Sequence, residues 1–262
     1  MNMDMFFNNE NEKPLDNLIT DGGMCGIFRT IGCVGDSLSS GEFESYSSEG
    51  ITGWHDFYEY SWGQFLARDT GSKVYNFSKG GMTAKEFLDG FGDKCGAWTT
   101  PCQAYIIALG VNDLNILGKE KIGSFEDIGE RSNETFAAAY ANIIINLKRR
   151  QPKAKFFLMT IPKREDEDEE RNQLREKHAQ ILYKIAEKYE NCYVLDLRKY
   201  APVYGKKFRE TFFLAGHMNP MGYRLTATMV ESYIDYIIRH NPEDFKQVGF
   251  IGTPYFNCNE KW

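Results

Sequence analysis

No stretch of 18 consecutive apolar residues occurs in this chain, so nothing in it reads as a membrane-spanning helix. Positive charge does not predominate either. There are 31 lysines and arginines against 37 aspartates and glutamates, a net charge of −6, and phosphate-backbone binding needs the opposite balance. No nucleic-acid partner and no membrane partner is therefore expected. The opening MNMDMFFNNENEKPLDN lacks a basic region followed by an apolar one and does not read as a secretory leader, so a cytoplasmic address is expected. Cys25, Cys33, Cys95, Cys102, Cys192 and Cys258 form no CxxC pair and no His/Cys grouping with zinc-ligand spacing. They read as buried free thiols in a reducing compartment, and no metal or cofactor is expected. Cys33 falls four residues before Ser37 but inside an apolar run, so it reads as packing rather than reactive.

Apolar side chains are plentiful. At 42% hydrophobic and 15% aromatic, the chain can bury a sizeable core, which excludes general disorder. Its 262 residues would suffice for one large α/β domain or two small ones. The absence of any internal repeat or linker favours a single domain over residues 1–262. Residues 1–27 then form an N-terminal extension, and the aromatic, glycine-containing segment 245–262 is expected to pack back on the domain.

Five short apolar runs each end in small or turn-forming residues: Phe28–Val34, Lys73–Phe77, Ala104–Leu109, Lys155–Ile161 and Tyr193–Leu197. Helical periodicity follows in Tyr60–Arg68, Asn133–Arg150, Glu169–Tyr189 and about Pro220–Arg239. Strands that are apolar throughout and alternate with helices indicate a parallel sheet covered on both faces. The expected fold class is α/β, a three-layer α/β/α sandwich with a roughly five-stranded parallel sheet. Ligands of such sheets bind beyond the carboxyl ends of the strands. Ser37, Gly80-Gly81 and Gly110-Val111-Asn112-Asp113 each follow a run and would meet at one edge. The acidic stretch Arg164–Arg171 reads as a solvated helix start, since the helix dipole favours carboxylates there.

A serine hydroxyl needs a base within hydrogen-bond reach. The histidines are His55, His178, His217 and His240. His178 in a charged helix and His240 at a helix end read as solvent-facing. His217 lies in a glycine-containing loop, FFLAGHMNPMGY, just before the last helix, where its ring can face the crevice.

GDSLS after the first run, Gly-Gly-x-Thr after the second, GxND after the third and a histidine loop before the last helix resemble the SGNH, or GDSL, hydrolase family. The resemblance extends over most of the chain, about residues 28–240, and implies that family's flavodoxin-like fold. It implies Ser37 as nucleophile and His217 as general base. It also implies an oxyanion hole formed by the Ser37 and Gly81 amides and the Asn112 side chain, in which one donor is typically worth ~3 kcal/mol of barrier. The family usually has an aspartate three residues before the histidine, and here that residue is Leu214. A backbone carbonyl orienting the ring, giving a Ser–His dyad, is the favoured reading. Asp113, Asp196, Glu210 and Asp56 are the acids that could substitute, and Asp36 reads as a brace for its loop.

The long segment GEFESYSSEGITGWHDFYEYSW starts beside the nucleophile, so Trp54, His55 and Tyr58 are expected to line a substrate pocket. The expected activity is hydrolysis of a carboxylic ester through an acyl-serine intermediate, with an acetyl group on a carbohydrate preferred. The partner is then a small-molecule or oligosaccharide ester, and the aromatic tail makes a homo-oligomer plausible. A lysophospholipase or thioesterase, and a non-catalytic carbohydrate- or partner-binding module, are the alternatives.

Overall fold

All five apolar runs pair as strands of one parallel sheet in the computed structural model, which describes residues 11–256. The strands are β1 (Thr30–Gly35), β4 (Lys73–Ser78), β5 (Ala104–Ala108), β6 (Lys155–Met159) and β7 (Cys192–Leu195), in the order β4-β1-β5-β6-β7. Side chains alternate between the faces, as a pleated strand requires. Val34, Phe77, Tyr105, Ile107, Phe156 and Leu158 enter one core, whereas Ile31, Cys33, Ala104, Ile106, Phe157 and Leu195 enter the other. This explains why the runs are apolar without alternation: both faces are covered.

Four principal helices cover the sheet. Helices α1 (Trp62–Thr70) and α4 (Pro220–His240) contribute to the second core, and α2 (Phe136–Arg150) and α3 (Glu169–Lys188) to the first. Each begins where a side chain accepts from a free amide of the first turn. The caps are Ser61, Thr135, Asp168 and Asn219, and Pro220 follows its cap at a position that suits proline. Phe245, Val248 and Ile251, beyond α4, are buried in the second core. The rest of the tail, from 257 and including Cys258, lies outside the described residues, as do residues 1–10.

Three sequence expectations are corrected. The long segment after Ser37, for which no strand is expected, is an antiparallel hairpin, β2 (Glu42–Ser47) with β3 (Gly50–Asp56). The acidic stretch before α3 is not wholly solvated: Glu167 is buried in ion pairs with Arg175 and Arg198. His178 does not face solvent. It is fully buried, its ring 4.9 Å from that of Phe136 and its Nε2 3.1 Å from the Leu109 carbonyl. His240 is half-buried and stacks on Tyr236.

Burial lowers the pKa of His178 from its ordinary 6.5 to about 4. A group with a depressed folded-state pKa of this kind contributes stability that is present above 6.5 and lost as pH falls through 4. The shift corresponds to ~3 kcal/mol. Urea denaturation between pH 7 and pH 4 is expected to show wild type losing about that much more stability than His178→Leu. Parallel losses in the two proteins would contradict a buried neutral imidazole.

Candidate active site

β1 lies between β4, to which the chain crosses next, and β5, from which it continues the other way. The crevice beyond such a reversal is where open α/β sheets bind ligands. Ser37 is the first residue of a single helical turn, Ser37–Ser40, that opens directly above the end of β1. Asp36 caps this turn, accepting from the Leu38 amide at 3.0 Å. Burial raises the Asp36 carboxyl to about 6.

His217 is brought over the same edge by the loop ahead of α4. Its Nε2 lies 2.9 Å from Ser37 Oγ. Its Nδ1 lies 3.0 Å from Glu44 Oε1, on strand β2. With Nδ1–H donating to Glu44, Nε2 is left as the acceptor for the serine hydroxyl. The other Glu44 oxygen, Oε2, accepts from three consecutive backbone amides of the histidine loop: Ala215 at 3.1 Å, Gly216 at 2.9 Å and His217 at 3.4 Å. The Tyr46 hydroxyl adds a fourth bond to Oε2 at 3.2 Å. Burial works to raise the Glu44 pKa. The His217 hydrogen bond, the Gly216 amide and the His217 charge outweigh it and hold the carboxyl below its ordinary value. One carboxylate thus fixes both the ring and the backbone that carries it.

The hairpin is itself anchored. The Tyr223 hydroxyl, from the first turn of α4, donates to the Glu42 carbonyl at 2.7 Å. Phe43 packs edge-on against Tyr223, Phe57 and Tyr60. Cross-strand pairing sets Glu42 opposite Asp56 and Glu44 opposite Trp54. Directly opposed residues share a face, so both glutamates and Trp54 lie on the side toward the histidine.

The other expected site residues divide clearly. Gly81, at φ +73, occupies the left-handed position of a turn closed by the Met82 amide donating to the Lys79 carbonyl at 3.2 Å. Asn112 Nδ2 donates to the Met82 carbonyl at 3.2 Å, tying the third sequence block to the second. Asp113 is buried and accepts from the Ala84 amide at 3.0 Å; burial pushes its carboxyl up to about 7. It braces these two blocks and does not contact His217. Asp196 is occupied by Thr160, Tyr183 and the Lys199 amide at the end of β7. Glu210 sits beside Lys206 on the helix Lys206–Phe212, and Asp56 accepts from Ser40 Oγ at 2.6 Å.

None of the four acids weighed from the sequence reaches the imidazole, and Nδ1 faces a carboxylate rather than a backbone carbonyl. Trp54 is 60% exposed on the active-site face of the hairpin. His55 pairs with Phe43 on the opposite face, its Nε2 3.0 Å from Ser45 Oγ. The Tyr58 hydroxyl turns toward the Val74 carbonyl, 3.5 Å away in β4. Those two do not line the crevice.

A serine-bearing turn at the switch point, a histidine over it and glycine and asparagine blocks after the flanking strands make up one α/β site. The chain belongs to the GDSL-like lipase/acylhydrolase family, whose model matches residues 33–225, and is an ester-hydrolysing enzyme. Solved structures share the fold. A possible lipase from Chitinophaga pinensis is 15% identical with a TM-score of 0.54, covering 81% of this chain and 98% of its own. An acetyl xylan esterase, AlAXEase, is 18% identical with a TM-score of 0.53, covering 78% and 99%. A family two carbohydrate esterase from Clostridium thermocellum, solved with cellohexaose, is 14% identical with a TM-score of 0.53, covering 82% of this chain and 65% of its own. Among curated proteins, none matches the sequence.

Glu44→Ala removes the shared acceptor from the ring and from the loop amides. An unfolding free energy reduced on the order of 3 kcal/mol is expected, since these bonds are buried and charge-assisted. Proton NMR of the wild type should show a low-field Nδ1–H resonance that disappears in the variant.

Proposed function

We propose that this chain is a serine esterase in which Ser37, His217 and Glu44 act together. The Ser37 hydroxyl passes its proton to His217 Nε2 as Oγ attacks the ester carbonyl. The tetrahedral intermediate collapses, the bond from the carbonyl carbon to the alcohol oxygen breaks, and Nε2–H protonates the departing alcohol. Water, deprotonated by the same nitrogen, then releases the acyl group as a carboxylic acid and restores Ser37. The Ser37 and Gly81 amides and the Asn112 side chain are the donors to the oxyanion. Glu44 is a positioning residue: it holds the tautomer and balances the imidazolium that forms twice per turnover.

The observation that carries this reading is the unbroken hydrogen-bond relay of 2.9 Å and 3.0 Å from Ser37 through His217 to Glu44. Among esters, an acetyl group on a carbohydrate is the preferred substrate. Trp54 supports it, an exposed aromatic face on the same side of the hairpin as Glu44. The likeness in fold to carbohydrate esterases supports it further. The fold forms one domain, and the unpaired thiols of Cys25, Cys33, Cys95, Cys102 and Cys192 support a reducing, cytoplasmic setting.

Hydrolysis of p-nitrophenyl acetate by wild type, Ser37→Ala and Glu44→Gln tests the assignment. Ser37→Ala is expected to fall to background and to form no acyl-enzyme detectable by mass spectrometry. Glu44→Gln, correctly folded, should lose roughly 10³–10⁴ in kcat with little change in KM, the size seen when such an acid is neutralised. Serine-independent turnover, or no turnover across short and medium acyl chains, would refute the esterase.

A further inference from the structure

The relay leaves one carboxylate in the crevice without a role. Glu42 Oε1 lies 3.1 Å from His217 Nε2, yet the aligned hydrogen-bond partner of that nitrogen is Ser37 Oγ. Glu42 therefore stands to the side of the Nε2–Ser37 axis. Its side chain is 15% exposed. Its position is fixed from below, because the Tyr223 hydroxyl pins its backbone carbonyl. Its other oxygen lies against the turn that carries Gly81: a Cβ added to Gly80 would overlap Glu42 Oε2, so a larger residue at 80 would have to displace the carboxylate.

The neighbouring acids are engaged elsewhere, and Asp36 Oδ2, which makes no hydrogen bond, is buried away from any ligand. Asp36 accepts from Leu38, Asp56 from Ser40, and Glu44 from the loop amides and the ring. Glu42 is the acid of this group whose remaining acceptor positions face the nitrogen that protonates the leaving alcohol. A partly buried carboxylate with unused acceptors is costly unless a ligand satisfies it.

We propose that Glu42 is a specificity residue that accepts a hydrogen bond from a hydroxyl on the carbon next to the esterified one, so that the enzyme selects esters of polyols and sugars bearing a free neighbouring hydroxyl. This rests on the serine esterase reading and deepens it. The alcohol oxygen must come within hydrogen-bond distance of Nε2 to receive its proton. A hydroxyl two carbons' reach away then falls beside Glu42, and the ring that bears it can lie toward Trp54 on the same face of the hairpin. A neutral hydroxyl donates to Glu42 without altering the charge that His217 must balance during acyl transfer.

The test uses two isosteric esters, 2-hydroxyethyl acetate and propyl acetate, with acetylcholine as a cationic probe. Each kcat/KM is divided by the rate of alkaline hydrolysis of the same ester to remove intrinsic reactivity. Wild type should prefer the hydroxyl ester over propyl acetate by roughly 10–100-fold, the discrimination that a hydrogen bond to a charged group supports. In Glu42→Ala the normalised ratio should fall to near one, and Glu42→Gln, which keeps an acceptor oxygen, should fall between. The ratio is internal to each protein, so a general loss of rate does not affect it. A wild-type ratio near one, a ratio unchanged in Glu42→Ala, or a preference confined to acetylcholine would overturn the proposal. Turnover that survives Ser37→Ala would instead overturn the esterase reading.

Discussion

The site depends on one contact: the carboxylate of Glu44 against the histidine loop. A ring on a loop is free to rotate, and the loop itself is free to drift, unless something binds both. Glu44 does so with two oxygens, one for Nδ1 and one for three successive amides. The bonds are charge-assisted and partly screened from water, so each is stronger than its surface counterpart. Leu214 has no part in this. Its side chain is exposed, and its amide closes the loop on the His217 carbonyl at 2.9 Å. The acid comes from the hairpin that follows Ser37, and the position three residues before the histidine is left without an electrostatic duty.

Gathering acids around one imidazole has a cost that the structure distributes. Asp36, Glu42, Glu44 and Asp56 all lie near the ring or the turn beneath it. Four ionised carboxylates in a small volume would repel one another. Burial raises Asp36 to about 6, and Glu42 is also raised, first by burial and further by the nearby Asp56 and Glu44 against the pull of His217. Glu44 is the one held low, by donors built for it. The carboxyl held low is thus the one that receives the most hydrogen bonds.

Most of the sheet could be read directly from the chain, because a parallel strand covered on both faces is a short unbroken apolar run and the five runs became five strands. The helices were readable to within a few residues for the same kind of reason, their caps and stripes being local. The hairpin was not. EFESYS has apolar side chains only at Phe43 and Tyr46, three positions apart and without strand alternation, in a short stretch rich in serine and glycine, and its strandedness comes from pairing and from aromatic anchoring to α4, which are distant in sequence. With the hairpin unseen, Glu44 could not be placed, and acids nearer the expected position drew attention instead. His178 is a different case. It continues the stripe of Leu174, Ile181, Leu182 and Ile185 at helical spacing, so the inward face was visible, but the charged residues around it masked the pattern.

Ser37, Glu42 and Glu44 fall within eight consecutive positions, so a single short ribbon carries the serine, the carboxylate that holds His217 and the carboxylate beside its other nitrogen. In such a ribbon the vulnerable quantity is phase. Shifting the hairpin by one residue would turn Phe43 and Ser45 toward the imidazole and send both carboxylates outward, while leaving the composition of the segment intact. Insertion or deletion between Gly41 and Glu44 is accordingly a graver lesion than most replacements, and the length of that stretch is constrained more tightly than the identity of the residues on its outer side.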